Sequence, residues 1–145
     1  MSRLCSGCRT AGSCRLGLGR PEYDESGFVA VRVVCDPTDR GGPITAHGGW
    51  IAAVFDDALA YAVLQHNPRI VTADLSVRYR RPVPVSTPLT VTARATRTEQ
   101  RRWISTGELA LADTPSAVLA TAYATFATRP HRYYKYMQND ASNRP

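Results

Sequence analysis

Between Trp50 and Gln65 the chain runs sixteen residues with almost nothing but apolar side chains and alanine, and Pro68 follows shortly after. Trp50, Ile51, Val54, Phe55, Leu59, Tyr61, Val63 and Leu64 are spread around all sides of a helical projection, with alanines at 52, 53, 58, 60 and 62. The run is too long for an ordinary strand and rich in helix formers, so it predicts a helix of about 24 Å. A helix that is apolar all round presents no face suited to water and must be covered on most sides. It falls short of the ~20 apolar residues a membrane span requires, and Asp56 and Asp57 interrupt it. With 145 residues the chain has room for one domain and hardly for two. The simplest cover is a sheet curled around the helix.

The remaining segments read as strands. Gly27 to Cys35 places Val29, Val31, Val33 and Cys35 on one face. Ile70 to Tyr79 alternates Val71, Ala73, Leu75, Val77 and Tyr79 against Thr72, Asp74, Ser76 and Arg78. Leu89 to Thr96 alternates in the same way, and Trp103–Leu111 and Ala117–Thr128 complete the set. Such alternation marks half-buried strands. Short turns at Pro82–Pro84, Glu99–Arg101 and Asp113–Pro115 favour antiparallel pairing. The order strand, long helix, four strands predicts an α+β domain over 27–128. Residues 1–26 read as an irregular lead rich in Cys and Gly, and 129–145 as a basic, aromatic tail.

The net charge is +6, and its placement is uneven. Seven arginines (78, 80, 81, 94, 97, 101 and 102) and a single acid, Glu99, lie between 78 and 102, and the tail adds Arg129, Arg132, Lys135 and Arg144. Such a distribution suits a solvated face, nucleic acid, a membrane surface, or a phosphorylated small molecule or carrier. Nucleic acid is set aside: Tyr79 and Trp103 sit at strand positions expected to face a core, and Tyr133, Tyr134 and Tyr136 sit in the tail, so no stacking platform is evident. The first residues lack the apolar run of a secretory leader, which predicts a cytoplasmic protein without membrane attachment. Cys5, Cys8 and Cys14 form C-x2-C-x5-C, with Cys35 as a conceivable fourth ligand. The second half of a zinc pattern is missing, so free thiols are expected and no metal. Phosphate-loop, dinucleotide and zinc-protease motifs do not occur.

Chemistry concentrates at Ala46-His47-Gly48-Gly49-Trp50, where the chain runs into the apolar helix. The first helical N–H groups lack internal partners and stand at the positive end of the helix dipole. A carbonyl oxygen placed there is polarised and a developing oxyanion stabilised. The glycines permit close approach of a ligand to the backbone; a plain glycine-rich helix start is the other reading. Asp56 follows His47 by nine positions, where a carboxylate inside an apolar run is paired, hydrogen-bonded or functional. Burial disfavours the ionised form of a carboxylate and suits it to accept a proton in catalysis. Asp57 points about 100° away, toward the surface or a subunit contact. Trp50 is the candidate for contact with a bound group at the helix start, with core packing as its alternative role.

The stretch Pro43-Ile44-Thr45-Ala46-His47-Gly48-Gly49, then Asp56-Asp57-Ala58, then Thr72 through Arg80-Arg81-Pro82-Val83-Pro84 resembles the hotdog-fold acyl-CoA thioesterases of the 4-hydroxybenzoyl-CoA thioesterase and PaaI-like superfamily. The likeness extends over about residues 27–128. It implies a curved antiparallel sheet wrapped around one long central helix, in a homodimer or dimer of dimers with sites at the subunit interface. It implies hydrolysis of an acyl-CoA or acyl-carrier-protein thioester to an acid and a thiol, with no cofactor beyond the carrier within the substrate. Carried over by position, Gly48 donates its N–H to the thioester oxygen, Gly49 supports that turn and His47 holds the loop. Asp56 is nucleophile or base, and Arg78, Arg80 and Arg81 meet the carrier's phosphates, as suits a bidentate guanidinium. Some relatives carry a glutamine where this chain has Gly41 and a hydroxyl where it has Ala60. The alternative function is therefore a non-hydrolytic hotdog protein that binds or reshapes a thioester-tethered acyl or polyketide chain.

Overall fold

The computed structural model describes residues 14–97, 101–130 and 132. Along the chain come β1 (Glu22–Tyr23), β2 (Phe28–Val33), a 3-10 turn (Pro37–Asp39), α1 (Gly48–Leu64), β3 (Ile70–Tyr79), β4 (Leu89–Arg97), β5 (Arg102–Leu111) and β6 (Thr114–Thr128). The six strands form one antiparallel sheet in the order β1-β2-β4-β5-β6-β3. α1 packs against β2, β3, β4, β5 and β6. This is the hotdog fold: one helix wrapped in one sheet.

Hydrophobic burial explains the wrap. Val54, Phe55, Ala58, Leu59, Ala62 and Val63 of α1 are fully buried. Against them stand Val29 and Val31 of β2, Leu89 and Val91 of β4, Leu109 of β5, and Ala120, Ala124 and Phe126 of β6. Each large side chain removed from water in this way contributes roughly 1.5–3 kcal/mol. The inward faces of β2 and β4 follow the alternation read from the sequence.

Four local features differ from the sequence reading. The helix begins at Gly48, two residues before the apolar run, because His47 takes an extended backbone and caps it. The lead is not irregular throughout: β1 pairs with Val29 and Ala30, and Leu18 bridges Val33. The Asp24 carboxylate makes that hairpin, accepting hydrogen bonds from the amides of Ser26 and Phe28; a two-residue strand is too short to show a period. β6 starts at Thr114 rather than Ala117, with irregular pairing opposite Leu109–Leu111.

The fourth difference lies in β3 and bears on function. Its pairing with β6 shifts between Thr72 and Asp74, leaving Ala73 as an extra residue. A bulge reverses which side chains face inward. Thr72, Leu75, Val77 and Tyr79 are opposite Phe126, Ala124, Ala122 and Ala120, the buried face of β6. Strict alternation had put Thr72 on the other face. Asp74, Ser76 and Arg78 turn outward.

Candidate active site

The helix start is assembled by three segments. Asp36 caps the 3-10 turn, whose Asp39 carbonyl accepts from the His47 amide at 2.8 Å. Arg40 and Ala46 form a bridge, and Ala46 N–H donates to the Val83 carbonyl at 2.7 Å. The loop is thereby pinned to the turn after β3. His47 Nδ1 then accepts from Gly49 N–H at 2.9 Å, which places the imidazole proton of the neutral ring on Nε2. Neither Gly48 nor Gly49 has a positive φ. What position 49 requires is room, since a Cβ there would lie 3.0 Å from His47 Nδ1.

Gly48 lines a cleft of about 390 Å³ together with Thr45, Ile51, Tyr79, Arg80, Arg81 and Val83. Its N–H has no intrahelical acceptor by virtue of its position, whereas those of Gly49 and Ile51 are engaged by His47. Tyr79 is 53% exposed and donates its hydroxyl to the Gly48 carbonyl at 2.8 Å. The sequence had suggested a core role for this ring; the end of β3 instead sets it on the rim of the cleft. Trp103 does pack partly against the core, with His66 stacked on it at 5.0 Å.

Of the three arginines proposed for phosphate, Arg80 and Arg81 line the cleft and Arg78 does not; its register opposite Thr121 puts it on the outer face of the sheet. Trp50 is 5% exposed, and its indole N–H donates to the Leu16 carbonyl at 3.2 Å. It holds the lead against the helix and does not line this cleft.

Asp56 lies eight residues beyond Gly48, or about 12 Å along the helix. The structure does not bring the carboxylate to the Gly48 cleft, contrary to the expectation that the nine-residue spacing would suffice. Asp56 is half-buried and accepts a hydrogen bond from Thr72 Oγ1 at 2.8 Å. Sequence reasoning missed Thr72, because only the bulge turns it inward. Asp57 lies on the lead side of the helix: burial, and next the Asp56 carboxylate, push its carboxyl up to about 6, partly offset by Arg15. The place that some relatives fill with a glutamine is crowded here, since a Cβ on Gly41 would stand 2.9 Å from His47 Cα.

The family model described as the thioesterase superfamily matches residues 45–118, which spans the His-Gly-Gly helix start, Asp56, Thr72 and the Arg80–Val83 turn. The chain belongs to the thioesterase superfamily. Among solved structures, a thioesterase superfamily protein is 30% identical with a TM-score of 0.67; 74% of this chain is covered, and this chain spans about half, 54%, of that one. The PaaI protein from the phenylacetic acid degradation operon of E. coli is 20% identical, with 86% of each chain covered and a TM-score of 0.71. A mutant of the phenylacetic acid degradation protein PaaI from Thermus thermophilus is 22% identical over 79% of this chain and 95% of that one, with a TM-score of 0.67. A search of curated proteins returns no match.

Among the described residues there is another hollow, of about 470 Å³, lined by Cys14, Arg15, Cys35, Asp36 and Asp39 among others. Cys35 is fully buried, and burial first, then Asp39 and Asp36, push its thiol up to about 11. It is held as a thiol and donates to the Asp36 carbonyl at 3.5 Å. Among the described residues no group of three or more His, Cys, Asp or Glu converges on a metal position. Cys5, Cys8, Glu99, Lys135, Arg144 and the tail tyrosines lie outside the described residues. No helix among the described residues is long and apolar enough to cross a membrane.

Proposed function

We propose that the protein hydrolyses an acyl thioester, of coenzyme A or of a phosphopantetheinyl carrier protein, at a site shared by two copies of the chain. The observation that carries this is a correspondence along β3. Asp56 hangs on Thr72 near one end of the strand, and Gly48 hangs on Tyr79 at the other. β3 is an edge strand of ten residues, a surface suited to pairing with a second chain. Antiparallel pairing of two β3 strands about a two-fold axis at Ser76, with Ala73 left out of register as it is opposite β6, sets Thr72 opposite Tyr79 of the partner subunit. Asp56 then meets Gly48 of the partner subunit. Isologous contact makes two such sites per dimer, and the 12 Å gap within a protomer ceases to matter.

The chemistry follows. The Gly48 N–H at the positive end of α1 receives the thioester oxygen and holds its charge as the carbonyl carbon becomes tetrahedral. Thr72 occupies one oxygen of the Asp56 carboxylate, leaving the other to take a proton from water. That water oxygen bonds to the carbonyl carbon, the C–S bond breaks, and the thiolate leaves with its electron pair and is protonated. No cofactor is needed. Arg80 and Arg81 flank the cleft as phosphate partners for the carrier. The acyl group itself is not defined by these residues.

A thiol-release screen over short, long, aromatic and carrier-bound thioesters tests the reading. Asp56→Asn should lose at least 100-fold in turnover while remaining folded and dimeric by sedimentation; turnover equal to the parent rejects the assignment of Asp56. Mixing Asp56→Asn with Gly48→Val tests the shared site. Each parent variant is inactive, but mixed dimers own one intact site, so statistical mixing should restore roughly a quarter of full activity. Absence of recovery, with subunit exchange demonstrated, places both groups in one chain.

A further inference from the structure

We infer that Tyr79 is a positioning residue, holding the peptide between Gly48 and Gly49 so that the neighbouring Gly48 N–H is fixed for an oxyanion; this rests on the reading proposed above. That peptide is held at both ends by side chains from different segments. Tyr79 Oη donates to its carbonyl oxygen at 2.8 Å, and His47 Nδ1 accepts from its N–H at 2.9 Å. The tyrosine comes from the end of β3 and the histidine from the loop before α1. Together they fix the orientation of the peptide plane.

The need for this clamp is physical. Two successive glycines at a helix start have more backbone freedom than any other pair, and the first turn of a helix is where it frays. An oxyanion donor works through preorganisation, because a donor already aimed at the developing charge requires no reorganisation during the reaction. A glycine pair lets a substrate approach closely but supplies no rigidity of its own. The rigidity must come from outside the helix, and Tyr79 meets the peptide at the side His47 does not reach.

The placement of the ring agrees with this role. A Cβ built on Gly48 would lie 3.5 Å from Tyr79 Oη and 3.6 Å from ring atoms Cε1 and Cζ. The hydroxyl end of the ring therefore lies beside Gly48, and the ring forms one wall of the cleft. At 53% exposure it gives the core little. Its hydroxyl is spent on the main-chain carbonyl of Gly48, at the first residue of the helix. Its hydroxyl and its ring separate into two functions: the hydroxyl aims the donor, and the ring shapes the wall against which a thioester would rest.

Tyr79→Phe keeps the wall and deletes the clamp. With the best substrate of the thioester panel, kcat should fall about tenfold while KM stays within twofold, since the hydroxyl matters where charge develops and not where the substrate rests. Tyr79→Ala should raise KM several-fold in addition. Amide hydrogen exchange read at Gly48 and Gly49 gives a measurement independent of catalysis. Tyr79→Phe should speed exchange at Gly49 at least fivefold, with the urea midpoint of global unfolding unchanged within error. Unchanged exchange at Gly49 overturns the inference, as does a rise in KM with kcat preserved. If the parent protein releases thiol from no thioester, the functional reading fails, and the exchange measurement alone decides whether Tyr79 holds this peptide.

Discussion

Replacing Asp57 by Asn should stabilise the protein, and only above a defined pH. Burial is the main cause that pushes this carboxyl up to about 6, with the Asp56 carboxylate second and Arg15 opposing. In the unfolded chain it returns to its ordinary value of 3.8. The folded state therefore holds its proton more tightly than the unfolded state. Any stability linked to that proton is complete below about pH 4 and is lost as pH rises through about 6. A difference of about 2 units at ~1.4 kcal/mol each sets a ceiling near 3 kcal/mol. The group is only half-buried, and solvent screening brings this to about 1–2 kcal/mol. Asn has nearly the same shape and carries no charge, so Asp57→Asn removes the penalty without opening a cavity. Urea titrations at pH 4, 5, 6, 7 and 8 measure it. With a slope near 2 kcal/mol per molar, the midpoint should rise by about 0.5–1 M at pH 8 and match the parent at pH 4. An equal gain at both pH values would trace the effect to packing rather than charge. A loss at pH 8 would show that attraction to Arg15 outweighs desolvation, and would refute the reasoning.

Two further outcomes are expected. Thr72→Val keeps a β-branched side chain beside the bulge but removes the donor to Asp56; a hydrogen bond to a charged group is worth about 1–3 kcal/mol, so kcat for thiol release should fall roughly 5- to 100-fold with the dimer intact by sedimentation. His47→Ala removes the acceptor for Gly49 N–H and should cost about 1 kcal/mol in thermal unfolding, whereas His47→Asn, a favoured helix cap, should retain most of that stability.

The architecture was legible because one constraint dominated. A helix apolar on every side, from Trp50 onward, has few ways to escape water in a chain of this size, and the alternating strands on either side of it supply the cover. Inward faces in β2 and β4 followed directly from their period of two. In β3 the same rule failed from Ala73 back to the strand's start, where Ile70 and Thr72 share the inner face and Val71 does not. The extra residue at Ala73 costs the strand one step of register, and an insertion of this kind leaves no mark in a pattern of apolar and polar residues. Its consequence is chemical, because Thr72 turns inward to Asp56.

The candidate site divides along the same line. His47, Gly48 and Gly49 could be picked out because a glycine pair leading into a buried helix is an unusual local arrangement, and local sequence governs helix starts. Asp56 could be picked out because a carboxylate in an apolar run demands a reason. Neither spacing nor composition could tell that Trp50 would be spent on the carbonyl of Leu16, or that Tyr79 would leave the core for the cleft. Nor could they tell Arg78 from Arg80 and Arg81, which differ only in being before or after the end of a strand.

By itself, then, the order of residues determined that a long apolar helix would be enclosed by a sheet and that the amides opening its first turn would need partners from outside the regular helix ladder. Those properties depend on hydrophobicity and backbone geometry over a few consecutive positions. Tertiary structure alone decided which side chains reach that turn, since Tyr79 and Val83 arrive from the end of a strand and its following turn, tens of residues away, just as it decided that Thr72 would reach Asp56. The distance between Gly48 and Asp56 needed no tertiary contact: one helix holds both, and its fixed rise sets them about 12 Å apart, farther than an aspartate side chain can span.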